Sequence, residues 1–163
     1  MTLSPLCLQD PRFARRVAVM LRGWDLPPAC LTFELTPTDL PEARDGITAN
    51  VERLRAMGVQ ILLDRFGHGL SGLDRLQWLP VDGLKLDPSL TRGFPENAVK
   101  RGIMEGVLAM AKALGCRAIA TGIDSEADFT HLAQAGFDAL QGDWLGRPLP
   151  ADAFASRWLS PNA

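Results

Sequence analysis

The strongest constraint on this chain is a repeated unit: an amphipathic helical stretch, a glycine, then a short apolar strand ending in polar residues. Ile47, Val51, Leu54 and Met57 keep helical spacing, Gly58 stops the helix, and VQILLD (59–64) follows as a strand. Asp39 is expected to N-cap that helix, with Glu42 completing a capping box. Asn97 opens a second helix, with Val99, Ile103, Val107 and Leu114 expected on one face. Gly115 closes it before the strand CRAIAT (116–121). Ser125 caps a third, with Phe129 and Leu132 inward, and Gly136 closes it before FDALQG (137–142). An earlier helix is expected from Asp10-Pro11 through Arg22, followed by the strand CLTFEL (30–35). VDGLKLD (81–87) is a further strand. Strands alternating with helices imply parallel βαβ units and an α/β fold.

At 163 residues, 47% of them hydrophobic, the chain has material for one core, and a single domain over 1–163 is expected. No linker or low-complexity tract interrupts it. Seventeen basic and nineteen acidic residues leave a net charge of −2, without the basic excess of a nucleic-acid binder or a polybasic membrane anchor. No apolar run approaches the roughly 18 residues of a membrane span. The N-terminus MTLSPLCLQDPRFARR places its charges after the apolar stretch, the wrong order for a secretory signal. Cys7, Cys30 and Cys116 lack metal-ligand spacing and read as buried thiols in a reducing compartment. A cytoplasmic location is the expectation.

Polar residues recur at one place in each unit. Glu34, Asp64, Lys85 with Asp87, Thr121 and Gln141 all stand at the C-terminal end of a mostly apolar strand. Because strands have a period of two, Lys85 and Asp87 project to the same side. A single such residue is explained by a strand reaching solvent; five strands in step point to the mouth of a barrel, where loops build a site. Gly67-His68-Gly69-Leu70-Ser71-Gly72 also matches the G-x-G-x-x-G dinucleotide pattern, with Asp87 placed like its ribose-binding acid. Against that reading, Asp64, Arg65 and Phe66 intervene before the glycines, Asp64 adds negative charge, and the next helix (about 71–78) is short. A turn that needs its glycines is the simpler account.

In order along the chain, LSPLCLQDPRF (3–13), LTFELT (31–36), LLDRFGHGLSGL (62–73), VDGLKLD (81–87), IATGID (119–124) and LQGDWLGRPLP (140–150) resemble the landmarks of the EAL domain family of bacterial cyclic-di-GMP phosphodiesterases. The family counterparts are the N-x-S strand, the E-x-T strand, the DDFGTGYSSL loop, the K-x-D strand, the AEGVE strand and the closing QG…P segment. The resemblance implies a TIM-type (β/α) barrel. It also implies chemistry in which two divalent cations, held by acidic ligands, and a lysine activate water to open the cyclic dinucleotide to pGpG. Carried over by position, Glu34 and Asp64 match metal-binding carboxylates and Lys85 the lysine beside the water. Asp87 matches the aspartate two residues on, and Gln141 the glutamine of QG. Lys85 is one of only three lysines, with Lys100 and Lys112.

Several positions depart from the family pattern. Arg65 stands for the second aspartate of DDFG and Thr121 for the glutamate of AEGVE. Thr2 stands for the asparagine of N-x-S, Pro37 for the second acid of E-x-T-E, and Asp124 for the last glutamate of AEGVE. The glutamate-alanine-leucine segment lies before the place where this sequence begins, so the barrel is expected to be incomplete, with its first strands missing. Replacing an aspartate by Arg65 changes the charge facing a divalent ion by two units. At about 6 Å and an effective dielectric near 20, that opposes binding by roughly 5 kcal/mol or more. The guanidinium of Arg65 either stands in for metal by pairing with Glu34 or Asp64, or swings into solvent and pairs with nothing.

The expected function is therefore a catalytically inactive EAL-like module of cyclic-di-GMP signalling, acting by protein interaction or weak ligand sensing through Asp87 and Asp124. No cofactor is expected. Its partners would be another signalling protein, or a second copy meeting exposed barrel edges. Phe66, Leu70 and Trp144 near the mouth are candidates for apolar contacts. The alternative is an active phosphodiesterase using Mg²⁺ or Mn²⁺ and giving pGpG. Further readings are NAD-type dinucleotide binding and a remnant without function.

Overall fold

The computed structural model describes residues 1–40, 44–69 and 71–159. Five strands, β1 (Thr32–Leu35), β2 (Gln60–Phe66), β3 (Gly83–Leu86), β4 (Arg117–Thr121) and β5 (Ala139–Gln141), form one sheet in consecutive order. Every pairing is parallel. Before β1, residues 1–3 extend the sheet: Thr2 bridges Glu34, the Leu3 N–H donates to the Glu34 carbonyl at 2.9 Å, and the Glu34 N–H donates to the Met1 carbonyl at 3.0 Å. Right-handed crossovers between consecutive parallel strands place the connecting helices Asp45–Ala56, Ala98–Leu114 and Glu126–Ala135 on one face of the sheet, as in a barrel wall. This order contains no reversal, and hence no switch point of the kind at which a Rossmann fold seats a dinucleotide. The G-x-G-x-x-G match is thus a turn, with Gly67 and Gly69 at φ of 90° and 75°.

Among the described residues, eight α-helices accompany the strands: α1 (Pro5–Gln9), α2 (Phe13–Gly23), α3 (Asp45–Ala56), α4 (Ser71–Leu76), α5 (Pro88–Thr91), α6 (Ala98–Leu114), α7 (Glu126–Ala135) and α8 (Ala151–Trp158). Local stop and start signals set several ends. The Asn97 side chain accepts from the Val99 and Lys100 N–H groups, Ser125 accepts from the Asp128 N–H, and Gly115 and Gly136 end their helices in the left-handed conformation. Elsewhere the expectations need correction. Asp39 does not cap α3: it ends a short 3₁₀ turn, Pro37–Asp39, and the helix begins six residues later, at Asp45. Glu42 lies outside the described residues. The helix expected from Asp10 starts at Phe13, because Pro5–Gln9 forms its own turn of helix and Asp10 instead accepts from the Arg12 N–H at 3.0 Å.

The main core lies between the sheet and its helices. Phe33, Leu35, Ile61, Leu63, Leu84, Leu86, Ala118 and Ala120 alternate toward Ile47, Val51 and Leu54 of α3, and Met104, Val107 and Ala111 of α6. Each fully buried leucine or isoleucine contributes about 1.5–3 kcal/mol relative to exposure. Of the four apolar residues on one face of α6 only Val107 is buried: the helix turns Met104, Val107 and Ala111 inward, while Val99, Ile103 and Leu114 face solvent. Cys30, expected to be buried, is exposed because it ends a surface 3₁₀ turn. Asn50 of α3, fully buried, donates to the Leu8 and Asp10 carbonyls at 2.7 and 2.9 Å, fastening the α1–α2 turn. By the strand period, Glu34, Leu62, Asp64, Gly83, Lys85, Ile119 and Thr121 occupy the opposite face, the side that a barrel encloses. Among the described residues, no helix is long and apolar enough to cross a membrane.

Candidate functional site at the strand ends

Lys85 organises the site. It stands on β3 with its side chain 6% exposed, and its Nζ donates to Glu34 Oε1 at 2.7 Å and lies 3.7 Å from Asp64 Oδ1. The ammonium thus joins the carboxylates of β1 and β2 into one triad spanning three strands. A buried lysine is tolerated only when its charge is matched, and here two carboxylates match it.

Arg65 is not part of that triad. Between Leu63 and Phe66 the β2–β3 register slips: Asp64 and Arg65 oppose the single residue Lys85, which is a β-bulge. At the bulge Arg65 takes φ of 52°, in the left-handed region that non-glycine residues rarely occupy. Pairing of Arg65 with Glu34 or Asp64, one of the two expectations, is therefore corrected. The backbone flip carries the guanidinium the other way, to 3.8 Å from Asp87 Oδ2, with the arginine side chain 62% exposed. Lys85, not Arg65, supplies the positive charge between the two carboxylates.

Asp87 is held by its surroundings. It caps α5, its Oδ1 accepting from the Ser89 N–H at 2.9 Å, while His68 Nδ1 lies 3.8 Å from Oδ2. Burial pushes this carboxyl upward, but the hydrogen bonds from Ser89, helped by His68 and Arg65, outweigh it and leave Asp87 below its ordinary value. Thr121 is committed to the backbone: its hydroxyl donates to the Leu86 carbonyl at 2.6 Å, and its carbonyl accepts from the Thr91 hydroxyl at 2.5 Å. Asp124 pairs with Arg92 at 2.8 Å in an exposed bridge. Gln141, the last residue of β5, faces the same cleft of about 390 Å³ as Asp64, Lys85, Thr121 and Asp124. Thr2 is exposed and meets the site only through its bridge to Glu34. Pro37 is buried, and its carbonyl accepts from Arg75 Nε at 3.3 Å.

Sequence reasoning missed Arg75, Arg92 and His68. Arg75 of α4 also donates to the Leu40 carbonyl at 2.9 Å, tying the glycine loop's helix to the turn after β1. No motif marks it, since it recognises backbone carbonyls rather than a side chain. Phe66 is core, at 4% exposure, and Trp144 packs on Phe129 with ring centroids 5.1 Å apart. Leu70 lies outside the described residues. Among the described residues, no three His, Cys, Asp or Glu side chains converge as a cation set.

Comparison with known proteins agrees with this geometry. The EAL domain family profile matches residues 1–148. Cyclic di-GMP phosphodiesterase RocR of Pseudomonas aeruginosa is 32% identical over 152 residues, covering 93% of this chain and 39% of RocR. The crystal structure of the EAL domain of Mycobacterium smegmatis DcpA superposes with a TM-score of 0.89 at 28% identity, over 97% of this chain and 71% of that one. The PaMucR phosphodiesterase in complex with c-di-GMP gives 0.83 at 31% identity, over 94% and 68%. The chain spans about a fifth to two-fifths of the length of the curated relatives it matches. The profile match runs through all five strands that build the cleft and ends just before α8. By its sequence and by its TIM-type (β/α) architecture, the chain belongs to the EAL domain family, and so to a family of cyclic-di-GMP signalling.

Proposed function

We propose that this domain serves cyclic-di-GMP signalling without hydrolysing the dinucleotide, through protein contact or weak sensing of the ligand. The observation that carries this reading is the outward turn of Arg65 at the bulge, where the resemblance puts a metal-binding acid. The family chemistry calls for two divalent cations, and the donors here do not fit them. Two matching carboxylates, Glu34 and Asp64, remain beside Lys85. Of the positions where the resemblance puts further metal-site acids, one is the outward-turned Arg65 and the other is Thr121, whose hydroxyl proton goes to a backbone carbonyl. Hard cations need several oxygen ligands, and paired metals need more.

Weak ligand sensing is supported by what remains. The cleft of about 390 Å³ presents Arg65 and Arg92 beside Asp124 and Gln141, a mixed-charge wall suited to a phosphodiester and a purine edge. Each arginine already has a carboxylate neighbour, so a phosphate must displace it, which weakens binding. The test is purified protein incubated with cyclic-di-GMP and Mg²⁺ or Mn²⁺. No pGpG is expected above the rate without protein. Accumulation of pGpG that Lys85→Ala abolishes refutes the non-catalytic reading.

A further inference from the structure

We infer that the Arg92–Asp124 ion pair is an autoinhibitory latch across the mouth of the cleft, opened when a ligand phosphate takes Arg92 from the carboxylate. The inference rests on the reading that the cleft senses cyclic-di-GMP, and adds how that sensing is regulated. Among the described residues three cations line the cleft, and they are held differently. Lys85 is buried against Glu34. Arg65 lies 3.8 Å from Asp87, a buried carboxylate fixed by the Ser89 N–H. The Nε and Nη2 of Arg92 reach Asp124 at 2.9 and 2.8 Å, and both converge on the single oxygen Oδ2. A guanidinium binds best when two N–H groups meet two oxygens, a geometry that a phosphate offers and this carboxylate does not use. The two side chains are 61% and 47% exposed, so water screens the pair and its displacement costs little. Of the other acids lining the cleft, Asp64 faces Lys85 at 3.7 Å and Asp143 lies 3.6 Å from Arg147. The carboxylate that competes with a phosphate for Arg92 is therefore Asp124.

The place of the pair in the fold makes it a latch and not a strut. Arg92 directly follows α5, and Asp124 lies in the turn between β4 and α7. Below the pair these two segments are fastened without it. The Thr91 hydroxyl donates to the Thr121 carbonyl, and Gly122, at φ of 77°, sits so close to Pro88 that a β-carbon there would lie 2.7 Å from the proline Cβ. The base therefore stays closed when the tip opens. Beyond the tip, the Lys100 ammonium donates to the Arg92 carbonyl at 2.7 Å and Arg101 donates to the Pro95 carbonyl, joining this segment to the first turn of α6. Asp124 immediately precedes Ser125, the cap of α7. Opening the latch thus acts on the N-termini of two outer helices. The ligand distinguishes the two states, because Arg92 is available to it only once Asp124 has let go. On this account Asp124 competes with the ligand instead of contacting it.

The experiment measures cyclic-di-GMP affinity by calorimetry for wild type, Asp124→Asn, Arg92→Met and the double variant, at fixed ionic strength and without divalent cations. Asp124→Asn is expected to bind about two- to fivefold tighter, the worth of an exposed ion pair. Arg92→Met is expected to bind more weakly. In that background Asp124→Asn should give less than half the gain, the remainder being the repulsion Asp124 exerts on any anion. In the free protein, hydrogen exchange of residues 92–97 and 122–125 is expected to be faster in Asp124→Asn than in wild type, with an unchanged circular dichroism spectrum. Absence of binding by all four proteins refutes the sensing reading and takes the latch with it. Binding that Asp124→Asn leaves unchanged or weakens, a gain equally large without Arg92, or unaltered exchange of the two segments overturns the latch alone and leaves the sensing reading standing.

Discussion

The Lys85 triad makes a quantitative prediction through Glu34→Gln. The substitution keeps shape and hydrogen-bonding capacity but removes the charge that lies 2.7 Å from Nζ. Breaking a fully buried pair costs about 3–5 kcal/mol, because the remaining charge is left without compensation. Two features of the site reduce that figure. Asp64 still stands 3.7 Å away, and the Glu34 and Asp64 side chains are 20% and 23% exposed, so water screens the cleft side. About 2 kcal/mol is the expected loss at neutral pH, or a melting temperature lower by about 4–8 °C at this chain length. Urea unfolding followed by circular dichroism measures it. The discriminating protein is the double variant Glu34→Gln/Lys85→Met, which removes the ammonium as well and should recover at least half of the loss. A single variant within about 0.5 kcal/mol of wild type, or a double variant no better than the sum of its parts, refutes the claim that Glu34 neutralises a buried cation.

Asp87→Asn tests the cap of α5. The folded carboxyl lies below its ordinary value, so its contribution is fully present above about pH 4, the unfolded value, and disappears as pH falls through the folded one. The variant should therefore be destabilised at pH 7 and approach wild type as pH falls through the folded value, as read by unfolding midpoints at each pH. Gly142→Ala tests a close backbone approach: a β-carbon there overlaps the Ile123 carbonyl oxygen and backbone nitrogen. Backbone cannot yield as a side-chain tip can, so a loss of about 3 kcal/mol or more is expected, seen as a lowered melting temperature or insoluble expression.

The parts of the fold governed by neighbours in sequence were legible. Asn97 and Ser125 cap their helices and Gly115 and Gly136 end theirs, because each contact closes within four residues. The parallel, consecutive sheet and the gathering of Glu34, Asp64 and Lys85 followed from the alternation of elements and the polar strand ends. What failed was decided by tertiary structure. Helix α6 is apolar on more than one side, and the pattern alone does not reveal that Met104, Val107 and Ala111 meet the sheet rather than Val99, Ile103 and Leu114. An inward-reaching Arg65 presumes an unbroken strand. A one-residue bulge, invisible in composition, reverses it. Asp39 is a capping residue by type, but it ends the 3₁₀ turn Pro37–Asp39 instead of opening the helix.

The division of labour between the sheet's two faces has a consequence for how such a domain changes over time. Folding energy is concentrated on the helical side, where leucine and isoleucine side chains interlock, while the lysine and its carboxylates occupy the other surface. A substitution such as the one that placed Arg65 on an exposed bulge falls where the hydrophobic interior does not register it. Selection can therefore rewrite the mouth residue by residue, exchanging chemistry for recognition, without first having to rescue a collapsing scaffold.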